Sequence, residues 1–162
     1  MNPNRLRLLA ALSLLAAASA CATIPARPVP ASISYETGPC FGACPVYRVT
    51  VRADLTGTFE GERFTAVTGE RRFRVSPQQW RAFVAKLAPL RASGVRQVTP
   101  GHAECGSVIT DQPSVTVRWS GSSEDRLDYY YGCRGPANQA LGETLRAAPG
   151  LLPIGDFIGR RG

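Results

Sequence analysis

Residues 46–60 read VYRVTVRADLTGTFE, and this stretch decides the fold class. Apolar and polar side chains alternate over Val46–Arg52, which is typical of a β-strand with one buried and one solvated face. The side chains on its apolar face are Tyr47, Val49 and Val51. Asp54 then marks a turn and Thr56–Glu60 follows as a partner strand, so the stretch predicts a β-hairpin.

The same alternation recurs in further segments of the chain. They are Ile33–Tyr35, Glu70–Val75, Ser114–Ser120 and Arg126–Gly132. Strict alternation favours an antiparallel sheet with one wet face, because the strands of a parallel sheet are buried on both sides. We therefore expect one antiparallel sheet whose apolar face is covered by other elements.

Two segments have the period of an amphipathic helix. Ser76, Pro77 and Gln79 form a start signal, with Ser as N-cap, Pro at the first helical position and Gln three residues after the cap. The apolar face that follows consists of Trp80, Phe83, Val84 and Leu87. The second helix begins at Pro136, and the apolar tail 151–158 is expected to pack back on the domain. The sequence thus predicts an α+β domain, an antiparallel β-sheet with two helices on one face, in the order β-β-β-β-α-β-β-α.

Length and composition fit a single small domain. The chain has 162 residues, of which 44% are hydrophobic, and 19 Lys+Arg against 12 Asp+Glu give a formal net charge of +7. These values exclude a chain that is disordered throughout, a collagen and a coiled coil. A multi-span membrane protein is excluded as well, because the sequence has only one long apolar run, Leu6–Ala22. The domain is predicted to occupy residues 33–162.

Residues 1–20 have the three parts of a secretory signal, namely a positive start, a short apolar segment and small residues before Cys21. The run from Ala18 to Cys21 resembles the lipobox of bacterial lipoproteins. In that family the cysteine thiol receives a diacylglycerol, the peptide is cut before the cysteine, and the new amino group receives a fatty acid such as palmitate. A plain secreted protein cut after Ala20 is the alternative. Residues 21–32 are predicted to form an extended, Pro-rich tether.

The resemblance to lipoproteins implies a place in the cell envelope. The partner is then a membrane, which the N-terminal acyl chains enter, and two or more chains hold a protein firmly. Ala22 follows the cysteine instead of Asp. By resemblance to the enterobacterial sorting pattern, this favours a lipid-anchored protein on the outer membrane, facing the periplasm.

Four cysteines remain if the first mature residue carries lipid, and an even number in an exported chain indicates two disulfides. They are Cys40, Cys44, Cys105 and Cys133. We favour Cys40–Cys44 with Cys105–Cys133, and the two crossed connectivities stay open. A zinc site is a weaker alternative because the spacings do not form Cys-x2-Cys pairs. A thiol-redox pair at Cys40 and Cys44 is another, although a predicted strand follows where such pairs have a helix N-terminus.

The segment Gly38–Tyr47, GPCFGACPVY, is the most distinctive of the chain. It resembles a family of bacterial proteins, often lipoproteins, that is known only as a domain of unknown function and carries a G-x-C-F-G-x-C-P-x-Y signature. The chain also has a glycine-containing hairpin at Gly57–Gly61 and a T-D-x-P run at Thr110–Pro113, as that family does. The resemblance covers residues 33–146 and implies an envelope location and a Cys40–Cys44 pair, but no activity. A ligand site at this cluster is the alternative to a purely structural motif.

The sequence contains no motif of a known catalytic centre. Its one histidine, His102, lies in a predicted loop, and its carboxylates are scattered. We therefore expect a binding, accessory or structural module of the envelope, with no catalytic residues, cofactor or metal. An enzyme of unrecognised type and a thiol-redox protein are the alternatives.

Arginine side chains are prominent on the predicted wet face of the sheet. They are Arg48, Arg52, Arg72, Arg74 and Arg118. Guanidinium groups suit phosphates and carboxylates, so this face is a candidate site for an anionic envelope component or an acidic protein. The simpler interpretation is that these arginines only solvate the face. Nucleic acid is not an expected partner outside the cytoplasm.

Overall fold

The computed structural model describes residues 28–159. Its main element is a β-sheet whose strands alternate buried and exposed side chains. Seven strands form one sheet in the order β4-β3-β2-β1-β6-β7-β5. Their bounds are β1 Ser32–Thr37, β2 Val46–Arg52, β3 Thr56–Arg63, β4 Gly69–Arg74, β5 Val95–Val98, β6 Ser114–Ser120 and β7 Asp125–Tyr130. Neighbouring strands are antiparallel, except that β5 pairs in parallel with β7.

The two long helices, α1 Pro77–Leu87 and α2 Pro136–Ala147, begin where the sequence predicts them. The short α3, Gly155–Ile158, lies in the tail, where no helix is predicted. At α1 the Gln79 amide donates to Ser76 Oγ at 3.1 Å and the Ser76 amide donates to Gln79 Oε1 at 2.8 Å, which completes a capping box. Within residues 28–159 we find no helix with the length and apolar character needed to cross a bilayer.

Both long helices cover the apolar face of the sheet. Trp80, Phe83 and Leu87 of α1 and Leu141 and Leu145 of α2 belong to the same buried cluster as the inward strand residues. The inward residues with the least exposure include Ile33, Val49, Val51, Phe59, Val117 and Leu127. Burying each large apolar side chain is worth about 1.5–3 kcal/mol, so this cluster is the main source of stability.

Two tyrosines fix α2 on the sheet through hydrogen bonds to its backbone. The Tyr35 hydroxyl on β1 donates to the Leu145 carbonyl at 3.0 Å, and the Tyr129 hydroxyl on β7 donates to the Asn138 carbonyl at 2.8 Å. The predicted α+β class, with two helices on one face of the sheet, is confirmed.

The predicted order lacks one strand, since the chain runs β-β-β-β-α-β-β-β-α before its short tail helix. The additional strand is β5, which has four residues, Val95–Val98. Two of them, Arg96 and Gln97, are polar, and Val95 is exposed, so no apolar alternation marks the segment. It lies at the edge of the sheet and makes the only parallel pair among the described strands.

The apolar tail packs back on the sheet, as the sequence predicts. The Phe157 ring lies 5.5 Å from that of Phe59 and 6.3 Å from that of Phe73, between ring centroids. The Ala66 and Val67 amides donate to the carbonyls of Ile158 and Phe157, both at 3.1 Å. The tail thereby closes over the turn between β3 and β4.

A buried ion pair holds the point where the chain enters the domain. The Arg91 and Asp125 side chains are 5% and 4% exposed, and Arg91 Nε donates to Asp125 Oδ2 at 2.7 Å. Arg91 also donates to the Pro28 carbonyl at 3.0 Å. Ala31 is already paired with the sheet, because its amide donates to Ser120 at 2.7 Å. The predicted tether 21–32 therefore ends against the domain, while its residues 21–27 lie outside the described part.

Hydrogen bonds lower the pKa of Asp125 against the effect of its burial. Burial raises the pKa, but donors from the Gly94 amide, Arg91 and Ser123 outweigh it and hold the pKa below its ordinary value of 3.8. A carboxyl of this kind stabilises the fold above the unfolded-state pKa. That stabilisation is lost as the pH falls through the folded-state pKa.

We expect Asp125→Asn to lower the free energy of unfolding by about 3–5 kcal/mol near neutral pH, because it leaves the buried Arg91 guanidinium unpaired. As the pH falls below the ordinary carboxyl pKa of 3.8, the difference from wild type should narrow, because the wild-type carboxyl is protonated as the pH falls through its lowered folded-state pKa. Urea unfolding from neutral to acidic pH measures it, with the exposed Asp156→Asn as matched control. A variant as stable as wild type near neutral pH, or a difference that grows as the pH falls, would contradict the assignment.

Candidate functional site

A cavity of about 990 Å³ opens at one end of the sheet, where β1, β3 and β7 end and β2 and β6 begin. Its walls come from these strand ends, the Cys40–Cys44 loop, the end of α2 and the C-terminal tail. The aromatic and polar side chains that line it are Tyr35, Thr37, Tyr47, Phe64, Gln112, Ser114, Tyr131 and Arg146. The topology thus gathers residues that are far apart in the sequence.

Thr37 joins the strand-end wall to the loop that precedes β2. Its hydroxyl donates to the Pro45 carbonyl at 2.8 Å and accepts from the Tyr47 amide at 3.0 Å. On the other side the Gly38 amide donates to the Ser114 carbonyl at 2.9 Å. A Cβ at Gly38 would meet the Ser114 hydroxyl, so a larger residue at the first position of the GPCFGACPVY segment would require this hydroxyl to rotate away.

The Cys40–Cys44 disulfide closes the loop beside this wall, and Cys44 itself lines the cavity. The Phe41 side chain at the loop tip is 88% exposed. β2 begins at Val46, so a strand follows these cysteines in the sequence, where redox-active pairs of this type have the N-terminus of a helix.

Three tyrosines give the cavity aromatic walls. The rings of Tyr35 and Tyr47 are stacked with centroids 6.5 Å apart, and Tyr47 in turn stacks on Phe59 at 5.4 Å. Tyr131 meets Tyr129 edge to face at 5.0 Å. These contacts fix the ring planes, and the three residues are only 2%, 6% and 9% exposed, so only a small part of each tyrosine reaches the cavity.

Among residues 28–159, Arg146 supplies the only charged side chain of the cavity lining. It lies in the last turn of α2, with its guanidinium carbon 4.1 Å from the centre of the Tyr131 ring. Among residues 28–159 no carboxylate pairs with it, and no Asp or Glu lines the cavity. The cavity therefore carries a positive charge that its own walls do not neutralise.

A smaller cavity of about 470 Å³ lies beside β5. Its charged residues are already committed, because Arg96 pairs with Glu104 at 2.6 Å and Arg91 with the buried Asp125. The described residues contain no group of three or more His, Cys, Asp or Glu side chains arranged to hold a metal ion.

The predicted arginine face exists, but part of its charge is neutralised within the sheet. In the register of the outer face, Glu36 on β1 lies between Arg48 on β2 and Thr116 on β6. Arg48 contacts Glu36 at 2.9 Å and Glu60 at 3.3 Å, and Arg118 contacts Glu36 at 3.3 Å. The hydrogen bond from Arg48, with a smaller contribution from Arg118, holds the pKa of Glu36 below its ordinary value.

The side chains of the remaining arginines on this face are either more exposed than those bound to Glu36 or have no carboxylate partner among the described residues. Arg72 pairs with Glu70 at 3.1 Å, and its side chain is 87% exposed. Arg52 and Arg74 are exposed and form no ion pair within the described chain. Anion binding by this face stays a prediction. The structure reduces the candidate residues for it to Arg52, Arg72 and Arg74.

Comparison with known families gives one match. Residues 31–149 match DUF6438, which is described as a domain of unknown function. The chain belongs to the DUF6438 family. The match begins at Ala31, where the backbone joins the sheet, and includes every strand and both long helices. Neither the curated proteins nor the solved structures gave a match.

The family match confirms the sequence-based resemblance to a domain of unknown function. The predicted lipidation site, Cys21, and the signal 1–20 lie outside the residues that the structure describes and outside the matched range. Most of the cavity lining lies within the matched range, whereas Gly150, Gly155, Ile158 and Gly159 belong to the tail beyond it.

Sequence analysis missed the cavity of this DUF6438 domain. Its lining positions are spread from Tyr35 to Gly159, and no local motif joins them. The sequence offers one signal, because Tyr47 lies near the start of a predicted strand and Tyr131 near the end of another. Such positions indicate at which end of its own strand a side chain lies. They do not indicate which strands are neighbours, so they do not predict a shared cavity.

The structure contains both disulfides of the connectivity that we favoured. Cys105 and Cys133 are 1% and 3% exposed. Asn138 of α2 donates to the Cys105 carbonyl at 3.0 Å, so this disulfide also fixes the start of α2. The Cys40–Cys44 pair is partly exposed.

Removing the buried disulfide with Cys105→Ala and Cys133→Ala should lower the free energy of unfolding by about 3 kcal/mol, because its loop is long. The matched double substitution at Cys40 and Cys44 should lower the free energy of unfolding by less, because this disulfide joins residues 4 positions apart, whereas Cys105 and Cys133 are 28 positions apart. Urea unfolding of both variants measures the two costs. Equal costs, or a larger one at Cys40 and Cys44, would refute this ranking.

If the arginine face binds anions, Arg52→Gln with Arg74→Gln should weaken binding to phosphatidylglycerol vesicles about fivefold per arginine. The matched pair, Arg48→Gln with Arg118→Gln, should have a smaller effect because Glu36 and Glu60 together already balance the two charges. Co-sedimentation of full chains carrying Cys21→Ser measures this without an acyl anchor. Equal effects of the two pairs, or no binding by the parent chain, would exclude the prediction.

Proposed function

We propose that this protein is a lipid-anchored binding module of the bacterial cell envelope. In this proposal Cys21 carries the acyl chains, the anchor lies in the outer membrane, and the DUF6438 domain faces the periplasm. The cavity at the sheet end is its binding site. The observation that carries the proposal is the position of the cavity relative to the point where the chain enters the domain.

The entry point and the cavity lie at opposite ends of β1. Pro28, held by Arg91, precedes the start of β1, while Thr37 at its end lines the cavity. Six strand residues span about 20 Å at about 3.3 Å each. A tether attached at the first end leaves the other end directed away from the anchor. This arrangement suits a module that captures a soluble periplasmic ligand.

The lining of the cavity supports binding rather than catalysis. Among residues 28–159 it includes a serine hydroxyl, an amide and one guanidinium, with no imidazole or carboxylate side chain, while the Tyr35 and Thr37 hydroxyls are already hydrogen-bonded within the domain. A few polar groups on otherwise apolar walls are typical of sites that orient a ligand. The alternatives are a thiol-redox protein that uses Cys40 and Cys44 and an enzyme of unrecognised type.

Metabolic labelling with radioactive palmitate tests the anchor. We expect label on the wild-type chain and none on Cys21→Ser. The matched substitution Ala22→Asp should keep the label but, by the enterobacterial sorting pattern, move the protein to the inner membrane. Membrane fractions from a density gradient report the location.

Label that persists on Cys21→Ser, or is missing from the wild type, would refute the lipid anchor. A labelled protein that stays with the inner membrane would refute the outer-membrane location alone.

A further inference from the structure

The two edges of the sheet differ in how they are covered. β5 forms one edge with only four residues, and residues 103–105 pack against it, where Glu104 pairs with Arg96. β4 forms the other edge with six residues. Within residues 28–159, no strand pairs with the outer side of β4, and no loop backbone hydrogen-bonds to it. This edge is therefore open to a further strand.

Backbone groups of alternate residues point outward along the β4 edge. The Val75 amide, just after β4, donates to the Leu55 carbonyl at 3.0 Å, and the amides of a strand point alternately to its two sides. The residues of β4 that turn their amides and carbonyls outward are thus Glu70, Arg72 and Arg74. Such a row is the template to which an extended peptide adds as a strand.

The charge of β4 selects the kind of chain that can add to it. The strand carries three arginines and one glutamate, and all four side chains are exposed. Glu70 pairs with Arg72 at 3.1 Å, yet the Arg72 side chain remains 87% exposed. Opposite charges on neighbouring strands stabilise a sheet. An added strand with acidic side chains beside Arg72 and Arg74 is therefore favoured.

A second copy of this chain is a poor partner for the edge. In two-fold antiparallel pairing, a centre at Arg71, Arg72 or Arg74 places that arginine opposite its own copy. A centre at Phe73 places Arg72 opposite Arg74, and a centre at Glu70 places two glutamates opposite each other. Like charges directly opposite each other are destabilising, so every such register is disfavoured.

We propose that the β4 edge binds an extended acidic segment of another protein, which adds to the sheet as a further strand. Segments 1–27 and 160–162 of this chain contain no Asp or Glu, so they do not supply the acidic strand. An anionic lipid head group matches the charge of the edge but not its alternating donors and acceptors. The inference goes beyond the proposed function and depends on neither the cavity nor the anchor.

The peptide acetyl-Thr-Glu-Val-Glu-Val-Thr-amide tests the proposal, with the full chain carrying Cys21→Ser. Amide hydrogen exchange followed by NMR gives both the affinity and the location. At a peptide concentration about ten times the dissociation constant, the outward amides of Glu70, Arg72 and Arg74 should exchange about tenfold more slowly. The amides of Arg71 and Phe73 should change less, because they already point toward β3.

Two control peptides separate backbone pairing from charge. The peptide with lysine in place of both glutamates should bind at least about fivefold more weakly, because it meets the arginines with like charge. The acidic peptide with its glutamate and valine amides N-methylated keeps the charge but loses the backbone donors. It should therefore give no protection of the β4 amides.

Two double variants test the arginines. Arg72→Gln with Arg74→Gln should weaken binding of the acidic peptide about fivefold. The matched pair, Arg126→Gln with Arg134→Gln, removes the same charge at exposed positions on and after β7, far from β4 in the sheet. It should leave binding unchanged. Melting temperatures confirm that every variant is folded.

Every other outcome overturns the proposal. Equal binding of the acidic and N-methylated peptides would show charge attraction without strand addition. Equal binding of the acidic and lysine peptides would exclude an edge that selects acids. No binding at about 10 mM would show that the arginines keep the edge free of partners. Protection of the same amides without peptide, growing with protein concentration, would identify a second copy as the occupant.

Discussion

The central strand β1 is the element on which the rest of the structure depends. It hydrogen-bonds to β2 on one side and β6 on the other, and so joins the β2-β3-β4 ribbon to the β6-β7-β5 half of the sheet. Its inward residues, Ile33 and Tyr35, are buried, and the Tyr35 hydroxyl binds α2. Its outward Glu36 joins arginines from both halves. Its two ends define the chain entry and the cavity.

Local patterns predict the elements of this domain well. β2 and β6 have the predicted bounds, Val46–Arg52 and Ser114–Ser120, because both are long and alternate strictly. α1 begins at the predicted capping box, since a cap is encoded within four residues of sequence. β5 was missed because it is short and polar, and only its pairing with β7 makes it a strand.

The candidate sites could be predicted only in part. Alternation places the five arginines on one face, but the sharing of Glu36 by Arg48 and Arg118 depends on β1 lying between β2 and β6, which no local pattern encodes. The cavity depends on the same strand order, because it joins Tyr35 to Arg146, which are far apart in the sequence. The cysteine spacing favoured the observed pairing, since a glycine-containing loop joins the first pair and the even number of cysteines left in a chain predicted to be exported indicates disulfides.

Native-state hydrogen exchange of the β1 amides tests the central claim most directly. If β1 joins the two halves of the sheet, the amides of Ile33 and Tyr35 should exchange only through global unfolding, with the same opening free energy as the amides of Val117 in β6 and Val49 in β2. Faster exchange of β1, through a local opening that leaves β2 and β6 protected, would contradict the account. The two halves of the sheet would then be stable without the strand that joins them.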